Sequence, residues 1–460
     1  MLHQTTTSAQ LQSLLASVDT LREEMIDFHR AIVRFATVNT GVMPTGNETP
    51  CCQYIQARLA SEGIRGEITE SAPGRGNLIA RLPGAGGASL LLMSHLDVVP
   101  VEDASVWHYP PFDAEVSDGK IWGRGSDDCK AVTTAAYFAT VLLKRHGIPL
   151  RGDLIFSATA DEESGGNYGY GWLAEHAPDT IRATYALNEG GGMPLLSQSG
   201  LLCGLSLGEK GRYEVTLTIS GRSAHASQPW LADNALLKAS RVIAAIAAYE
   251  PVIDVSHPIF DALDLMLPGL ARPTTATLEQ TLATVAAQDA GTASLLRALS
   301  RMTITPTMLH AGVKSNSIPA AAVLKCDART LPGQDAADVQ REVERLVTGI
   351  DGVSVAVEVW ARATQSPFDT PFTRVLQRSL ALATGRDDVA LAPTTTAGFT
   401  DSQYVRPLGT QAYGFAPIHP AGARIRSGVH GINEFVEIDT LITRTKAYLA
   451  AAYLTLVEGV

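Results

Sequence analysis

Short apolar runs alternate with helical periodicity along the first half of the chain. Between residues 18 and 36, apolar positions recur at the three- and four-residue spacing of an amphipathic helix, and a second helix is predicted after the turn-rich segment 41–50. Strand-like runs follow that are too continuously apolar for half-exposed strands; they are NLIARLPG, ASLLLMSHLDVV, DLIFSATAD and ATYALNEGG. Because helical stretches separate them, the pattern predicts an α/β fold with a sheet covered by helices on both faces.

The pattern changes after Gly204. An alternating strand (GRYEVTLTISG), a long helix over about 233–249 and the strands TITPTMLHAG and AAAVLKCDART predict a compact α+β insert, to which the Pro-punctuated segment 251–299 adds helices. Beyond Pro332 the α/β alternation resumes, beginning with a helix and the strand SVAVEVWA. We therefore predict a first domain that is interrupted and then completed. Its two parts are residues 1–206 and 332–460, and the insert is residues 207–331.

Composition and charge narrow the class of protein. At 460 residues, with 45% hydrophobic and 18% charged positions, the chain is long enough for two or three folded units of ordinary globular composition. The formal net charge of -11, without any run of Lys and Arg, argues against nucleic acid or an anionic membrane surface as a partner. The chain contains no run of about 18 apolar residues that would predict a membrane span. Residues 1–17 are polar and do not resemble an export signal.

The cysteine pattern indicates a reducing compartment. The chain has five cysteines, an odd number without CxxC spacing, so we expect reduced thiols rather than a disulfide framework. A cytoplasmic location fits best. The neighbouring Cys51 and Cys52 are predicted to lie in a helix, where packing in the core is the expected role.

Acidic residues and histidines cluster where the apolar strands end. Four clusters stand at strand ends or in the loops just after them, LLLMSHLDVVP, GRGSDDCK, LIFSATADEESGG and YALNEGGG, and a fifth, SGVHGINEF, lies near the end of the chain. Open α/β sheets bind their ligands at the carboxyl ends of strands. An ionised side chain beside such apolar strands costs several kcal/mol in desolvation free energy unless it is paired or binds a metal. Ion pairs or a metal site are therefore expected there.

Two pairs of residues within these clusters indicate metal chemistry. His95 and Asp97 lie two positions apart on a strand, so both side chains point to one face and the carboxylate can orient the imidazole. Glu162 and Glu163 are adjacent and repel one another unless a positive charge lies nearby. One glutamate could then bind a metal while the other acts as a base. Taken alone, the first pair also fits a structural role, and the second also fits a solvated acidic loop.

Taken together and in order, the motifs resemble those of the M20 family of co-catalytic zinc peptidases and aminoacylases. The resemblance extends over nearly the whole chain and rests on SHLDVVP, GRGSDDCK, ATADEESGG, NEGG, GRSAHASQP, SNSIP and VHGINEF. It implies a catalytic domain with a mixed sheet of the zinc-peptidase type. It also implies that the inserted α+β domain is ferredoxin-like and serves as a lid and for dimerisation.

The resemblance further implies a set of metal ligands. Two divalent ions, zinc by default with cobalt or manganese as alternatives, would be bound by His95, Asp128, Glu163, Glu189 and His430. Asp128 would bridge the two ions, Glu162 would be the general base, and Asp97 would hold the ring of His95. The chain departs from the family pattern beside the bridging residue, since Cys129 stands where Met is common and Ala131 where Gly is expected.

The insert and the last part of the chain supply the remaining candidates. By resemblance, His225 in GRSAHASQP stabilises the oxyanion, and family members that dimerise through the insert supply this group from the neighbouring subunit. We therefore expect a homodimer. Asn316 and Arg329 match positions that face the substrate, where Arg can bind a carboxylate bidentately, although an arginine at a strand end also fits a solvated charge. Thr400 and Asp401 lie in a recognisable family loop without an assigned role. The remaining histidines are expected to be structural and include His108, His310 and His419.

The function that the resemblance implies is metal-dependent hydrolysis of an amide or peptide bond in a small peptide or N-acyl amino acid. A water that bridges the two ions would attack the carbonyl carbon while Glu162 takes its proton. Two alternatives stay open, namely hydrolysis of a carbamoyl or ureido C–N bond, and an idle relative retained as a binding or assembly protein. The presence of all five ligands and the base argues against the idle relative.

Overall fold

The computed structural model describes residues 8–460 except 196, 198, 199, 397 and 423–426. Its α-helices are α1 (Ala9–Thr20), α2 (Arg22–Val33), α3 (Thr49–Ser61), α4 (Lys130–Arg145), α5 (Tyr170–His176), α6 (Pro178–Ile181), α7 (Ala235–Ala247), α8 (Leu263–Met266), α9 (Leu278–Ala286), α10 (Ala290–Ala298), α11 (Ala336–Leu346), α12 (Pro371–Thr384), α13 (Ser402–Val405) and α14 (Ile438–Tyr453). Its β-strands are β1 (Gly66–Glu70), β2 (Gly76–Leu82), β3 (Leu90–Leu92), β4 (Glu115–Ser117), β5 (Lys120–Trp122), β6 (Leu154–Ala158), β7 (Tyr185–Asn188), β8 (Leu201–Glu209), β9 (Gly211–Ser220), β10 (Ala224–His225), β11 (Thr303–Ala311), β12 (Ser317–Ile318), β13 (Ala321–Thr330), β14 (Val353–Ala361), β15 (Thr364–Gln365), β16 (Val389–Thr396), β17 (Gln411–Gly414) and β18 (Phe435–Glu437).

A mixed sheet forms the centre of the molecule. Its strand order is β1-β2-β6-β3-β7-β17-β8-β15, with β16 paired to β8. The strands β6, β3, β7 and β17 run parallel, whereas β2 and β8 are antiparallel to the neighbours that flank this run. Successive residues of β3 point to opposite faces: Leu90 and Leu92 pack with residues of α4, α12 and α14, and Leu91 packs with residues of α5. Helices cover both faces, so the predicted α/β fold class is confirmed.

The parallel strands bring three loops to one edge of this sheet. Since β6, β3 and β7 run in the same direction, the chain leaves all three at the same end. Their apolar sequences suit strands with helices above and below, and Leu91, Ile155 and Ala186 are completely buried. The polar segments that follow each strand therefore lie next to one another.

The insert is a β-α-β-β-α-β unit of the ferredoxin-like kind. The elements β9, α7, β11, β13, α11 and β14 occur in this order along the chain, with other elements between some of them, and the four strands form an antiparallel sheet in the order β11-β13-β9-β14. The predicted boundary between residues 331 and 332 is therefore wrong, because α11 and β14 belong to the insert rather than to the completed first domain. The physical reason is non-local pairing, since Val357 of β14 lies opposite Val215 of β9.

The Pro-punctuated segment 251–299 forms helices, as predicted, but these helices do not join the insert. The helices α8, α9 and α10 lie here, and buried residues such as Leu282 and Leu296 pack with Leu202 of β8 and Ala392 of β16. They cover the β8–β16 end of the central sheet, so the predicted location is wrong. Apolar periodicity predicts a helix but does not determine which of two sheets the helix covers.

The first helices of the chain complete the cover of the central sheet. Although the N-terminal segment is polar in composition, Leu11, Leu14 and Val18 form the buried side of α1. Cys51 and Cys52 are buried in α3, as predicted. Within the described residues, none of the helices combines the length and the hydrophobicity needed to cross a lipid bilayer.

Candidate metal centre and active site

The five predicted metal ligands lie next to the ends of β-strands and α-helices, four in loops and Glu163 in a short 3-10 helix (Glu162–Ser164). His95 follows β3, Glu163 follows β6 and Glu189 follows β7. Asp128 lies in the loop that enters α4, and His430 lies in the loop that enters β18. The three parallel strands thus hold three of the ligands at one edge of the sheet, and two further loops bring the others to them.

The two carboxylate oxygens of Asp128 face two different groups of ligands. Oδ1 lies 3.2 Å from Nε2 of His95, which is itself 3.5 Å from Oε2 of Glu189. Oδ2 lies 3.1 Å from Nε2 of His430, which is also 3.1 Å from Oε2 of Glu163. The residues form two groups that share one carboxylate, which is the arrangement expected of a bridging ligand between two ions.

The separations between these donor atoms match those around a metal ion. Ligand atoms at about 2.0–2.2 Å from a tetrahedral ion lie roughly 3.3–3.6 Å from one another, and the separations in both groups are close to this, at 3.1–3.5 Å. Imidazole and carboxylate ligands suit zinc, cobalt and manganese alike. The residues therefore fit two divalent ions, and their chemistry does not choose among these metals.

Burial raises the pKa values of the clustered carboxyl groups. Burial, followed by the charge of the nearby Glu189, raises the pKa of Glu162 well above its usual range. Burial also raises the pKa of Glu163 to about 7 and shifts the pKa of Glu189 upward. At Asp128 the hydrogen bonds of the two histidines outweigh burial and hold the pKa well below its usual range. The site holds buried negative charge in excess, which divalent cations would compensate.

Asp97 contacts both the His95 ring and the turn that carries the two adjacent glutamates. Nδ1 of His95 lies 3.0 Å from the backbone carbonyl oxygen of Asp97 and 3.4 Å from its Oδ1. The two carboxylate oxygens of Asp97 accept hydrogen bonds of 3.1 Å from the backbone N–H groups of Glu162 and Glu163. The carbonyl oxygen of Asp97 is therefore the closer partner of the His95 ring. The Asp97 carboxylate mainly positions the turn that carries Glu162 and Glu163.

The comparison with protein families decides which family the chain belongs to. The model of peptidase family M20/M25/M40 matches residues 91–454, which is more than half of the chain. The chain belongs to this family. The match spans the insert and all five predicted ligand positions, so the family and the hydrolase class predicted from the motifs are confirmed.

Several relatives are distant in sequence but cover nearly the whole chain. A probable succinyl-diaminopimelate desuccinylase of Staphylococcus aureus (strain MRSA252) is 23% identical over 427 residues, which are 91% of this chain and 94% of the relative. An M20 family metallo-carboxypeptidase from Sulfolobus solfataricus has a TM-score of 0.69 at 18% identity, covering 93% of this chain and 99% of that one. A dinuclear metal-binding M20 peptidase from Bacillus subtilis has a TM-score of 0.60 at 14% identity, covering 96% and 100%. At these identities the structural likeness shows the fold.

Buried residues that were not among the predicted site residues support the turn after β6. The side-chain amide of Asn39 donates hydrogen bonds of 2.8 Å to Asp97 and 3.0 Å to Asp161. Arg75 donates a 3.0 Å hydrogen bond to Asp161, and its Nε lies 3.0 Å from Oε2 of Glu48. Asp161 has a left-handed φ of 74°, which Asp tolerates better than most residues. No local signal could have identified Asn39 or Arg75, because their partners are remote in sequence.

Cys129 lies closer to the ligands than its position in the motif indicates. The side chain is fully buried, and its Sγ, a ring nitrogen of His95 and a carboxylate oxygen of Glu189 all lie within 4.8 Å of one another. Burial raises the pKa of the thiol to about 12. Cys129, which stands where Met is common in the family, therefore lies next to the ligand group that contains His95.

The structure places His225, Asn316 and Arg329 on the insert. His225 is exposed in β10, and the hydrogen bonds of its ring stay within its own loop. Asn316 is exposed just before β12, and its carbonyl oxygen accepts a 3.0 Å hydrogen bond from the backbone of Ala226. Arg329 of β13 forms an ion pair of 2.7 Å with Asp327 on the same strand. Pairing of β10 with β12 therefore brings His225 and Asn316 together, whereas Arg329 contacts a carboxylate of its own strand.

The loop with Thr400 and Asp401 approaches the centre from the second part of the catalytic domain. Oγ1 of Thr400 donates a 2.6 Å hydrogen bond to Oε1 of Glu209, the last residue of β8. Asp401 is buried, and its charge is one of the causes that raise the pKa of Glu162. This loop therefore lies close both to the predicted base and to the strand that leads into the insert.

Proposed function

We propose that this protein uses two divalent metal ions to hydrolyse an amide bond of a small peptide or N-acyl amino acid. The observation that carries the proposal is the position of Asp128 between two groups, each with one histidine and one glutamate. The relatives support it, since they include a probable desuccinylase, a metallo-carboxypeptidase and a dinuclear metal-binding peptidase. When bound, such ions lower the pKa of a water ligand toward about 7 and polarise the scissile carbonyl group.

Glu162 is the side chain that would move the proton. Its Oε2 lies 4.0 Å from Nε2 of His95, at the margin of one ligand group, and the carboxylate of Asp97 holds its backbone N–H. From this position the Glu162 carboxylate accepts a proton from the attacking water and delivers it to the leaving nitrogen. A single positioned carboxylate can perform both transfers because the first leaves it protonated for the second.

We propose further that His225 acts on the site of a second subunit. Among the residues that the structure describes, the exposed His225 ring hydrogen-bonds with Ser227, two positions further along the chain, which suits a group that completes a site elsewhere. The edge strand β11 of the insert exposes Met308 and Leu309 by 50% and 43%, and Leu237 of α7 is 65% exposed. An apolar edge strand beside an apolar helix face favours pairing with another copy of the same surface.

Metal content and hydrolysis of a substrate panel test the proposed reaction. The panel contains dipeptides, N-acyl amino acids and N-carbamoyl amino acids, each with and without a chelator. We expect about two ions per chain and chelator-sensitive release of an amino acid from a dipeptide or an N-acyl amino acid.

Each other outcome would contradict a different part of the proposal. Turnover of N-carbamoyl substrates alone would replace amide hydrolysis by the ureido alternative. Activity without bound metal, or activity that resists the chelator, would contradict the metal-dependent mechanism. Full metal occupancy without turnover of any panel member would contradict the proposed substrate class.

A further inference from the structure

Glu434 connects the loops that carry two of the ligands, Asp128 and His430. Its side chain is 1% exposed. Oε1 of Glu434 accepts backbone hydrogen bonds of 3.0 Å from both Asp127 and Asp128, and Oε2 accepts one of 2.9 Å from Gly125. The carboxylate therefore holds three backbone N–H groups of the loop that enters α4. None of these hydrogen bonds follows from the VHGINEF motif, because the donors lie far from it in the sequence, in the loop that enters α4.

Arg124 extends this connection to the loop that carries His430. Nη1 of Arg124 donates a 2.7 Å hydrogen bond to Oε2 of Glu434, and Nη2 donates one of 2.8 Å to the carbonyl oxygen of Gly431. Arg124 is 2% exposed, and its guanidinium lies 5.1 Å from the centre of the Trp107 ring. Because a guanidinium is planar and donates in defined directions, it sets the distance between the two loops.

The two ligand groups differ in how their histidines are supported. The His95 side chain is 1% exposed and contacts Asp97, whereas the His430 side chain is 55% exposed and its backbone has a left-handed φ of 58°. Such a conformation persists only where the surrounding structure determines it. The hydrogen bonds of Glu434 and Arg124 to both loops supply that support on the His430 side.

We propose that Glu434 is a positioning residue for the ion that Asp128, Glu163 and His430 would bind. This inference rests on the proposed metal-dependent function. Metal ligands need to be held within about 0.5 Å of their productive geometry, and Glu434 holds the backbone of the bridging ligand while its partner Arg124 holds the residue after His430. Loss of Glu434 therefore weakens the His430 side of the centre more than the His95 side.

Metal titration of the Glu434→Gln variant tests this inference. The Gln side chain keeps the shape of Glu, but an NH2 group replaces one of the two oxygens. This NH2 group is a donor, and it would face backbone N–H groups that are also donors. In calorimetric titration of metal-free protein with Zn²⁺ or Co²⁺, we expect the affinity for one of the two ions to fall about 10- to 100-fold, with a smaller change for the other. Glu437→Gln, at the last residue of the strand β18 that begins just after Glu434, is the matched control and should bind both ions like the unchanged protein.

Three outcomes would overturn the inference. In the first, Glu434→Gln binds both ions as tightly as the unchanged protein. In the second, its affinity for both ions falls equally and the metal-free variant also melts at a lower temperature. In the third, the Glu437→Gln control loses as much metal affinity as Glu434→Gln. If Glu434→Gln does not fold, Arg124→Lys is titrated instead, because it keeps the positive charge but loses the second arm to Gly431; it should show the same selective loss. An unchanged protein that binds no metal would contradict the proposed function and not this inference alone.

Discussion

Glu162 and Glu163 are neighbours in the chain with different surroundings. Oε2 of Glu163 lies 3.1 Å from Nε2 of His430, inside one ligand group, whereas Oε2 of Glu162 approaches His95 only to 4.0 Å. Asp97 accepts a hydrogen bond from the backbone N–H of each. The turn therefore directs one carboxylate into the metal centre and leaves the other beside it, which is the division into ligand and base that the motif suggests.

Replacing Glu162 by Gln should abolish turnover while metal stays bound. The amide cannot accept the proton of the attacking water, so we expect kcat to fall about 10²- to 10⁴-fold. Metal content and thermal stability should be unchanged, because Glu162 lies outside both ligand groups. The measurements are steady-state kinetics and metal analysis of the same preparation.

Two histidine variants make this result specific. His430→Ala should lower metal occupancy, because it removes a ligand from the second group, and His146→Ala, at an exposed histidine after α4, should change neither property. A Glu162→Gln protein with a near-normal rate would show that another group is the base.

The turn after β6 depends on a buried ion-pair network behind it. Arg75 at the start of this network is 0% exposed and lies between Glu48 and Asp161, at 3.0 Å from each. Asp161 in turn accepts hydrogen bonds from Asn39 and from the backbone of Tyr168. The position of the two glutamates therefore depends on residues just before β2, just before α3 and in the loop between α2 and α3, and not on their own motif alone.

Replacing Arg75 by Ala should destabilise the protein strongly. It leaves the carboxyl groups of Glu48 and Asp161 buried without their partner, a change that typically costs about 3–5 kcal/mol in the free energy of unfolding. Urea unfolding monitored by tryptophan fluorescence measures the change. Arg65→Ala is the control, since the Arg65–Glu67 pair is exposed and should contribute nothing measurable. Equal unfolding midpoints for the two variants would contradict the supporting role of Arg75.

The insert carries a second candidate surface. His225 and Asn316 lie together on it, and the exposed edge strand β11 lies in the same ferredoxin-like unit. If two copies pair through this surface, each can present His225 to the metal centre of the other. The homodimer and this exchange of residues stay predictions, as does the cytoplasmic location, which the five free and buried cysteines suit.

Mixing two inactive variants tests whether His225 acts across subunits. His225→Ala should lower kcat about 100-fold or more through loss of an oxyanion donor, and Glu162→Gln is inactive for lack of the base. In a heterodimer, the site that keeps Glu162 receives His225 from the partner, so one of its two sites regains activity. Subunit exchange followed by kinetics measures the recovery.

The mixing experiment has two controls. Each variant alone should stay inactive after the same exchange procedure, and light scattering should show dimers throughout. No recovery in a mixture that does contain heterodimers would place His225 in its own subunit's site, and a monomer by light scattering would contradict the exchange altogether.

Local pattern predicted most of the elements and the candidate residues of the site. Apolar periodicity predicted the central strands and the helices of 251–299, because helix and strand periods are properties of neighbouring residues. The order of the motifs predicted the family, and the structure brings His95, Asp128, Glu163, Glu189 and His430 together. Their roles as ligands stay a prediction that this geometry supports.

Only the tertiary structure decided which distant segments meet. The pairing of β14 with β9 moved the boundary of the insert, and packing against β8 and β16 placed the helices of 251–299 on the central sheet. The supporting contacts of Asn39, Arg75 and Glu434 are likewise between remote parts of the chain. Strand pairing and buried hydrogen bonds depend on partners that no local window contains, because burial makes each polar group require a specific partner in space and not in sequence.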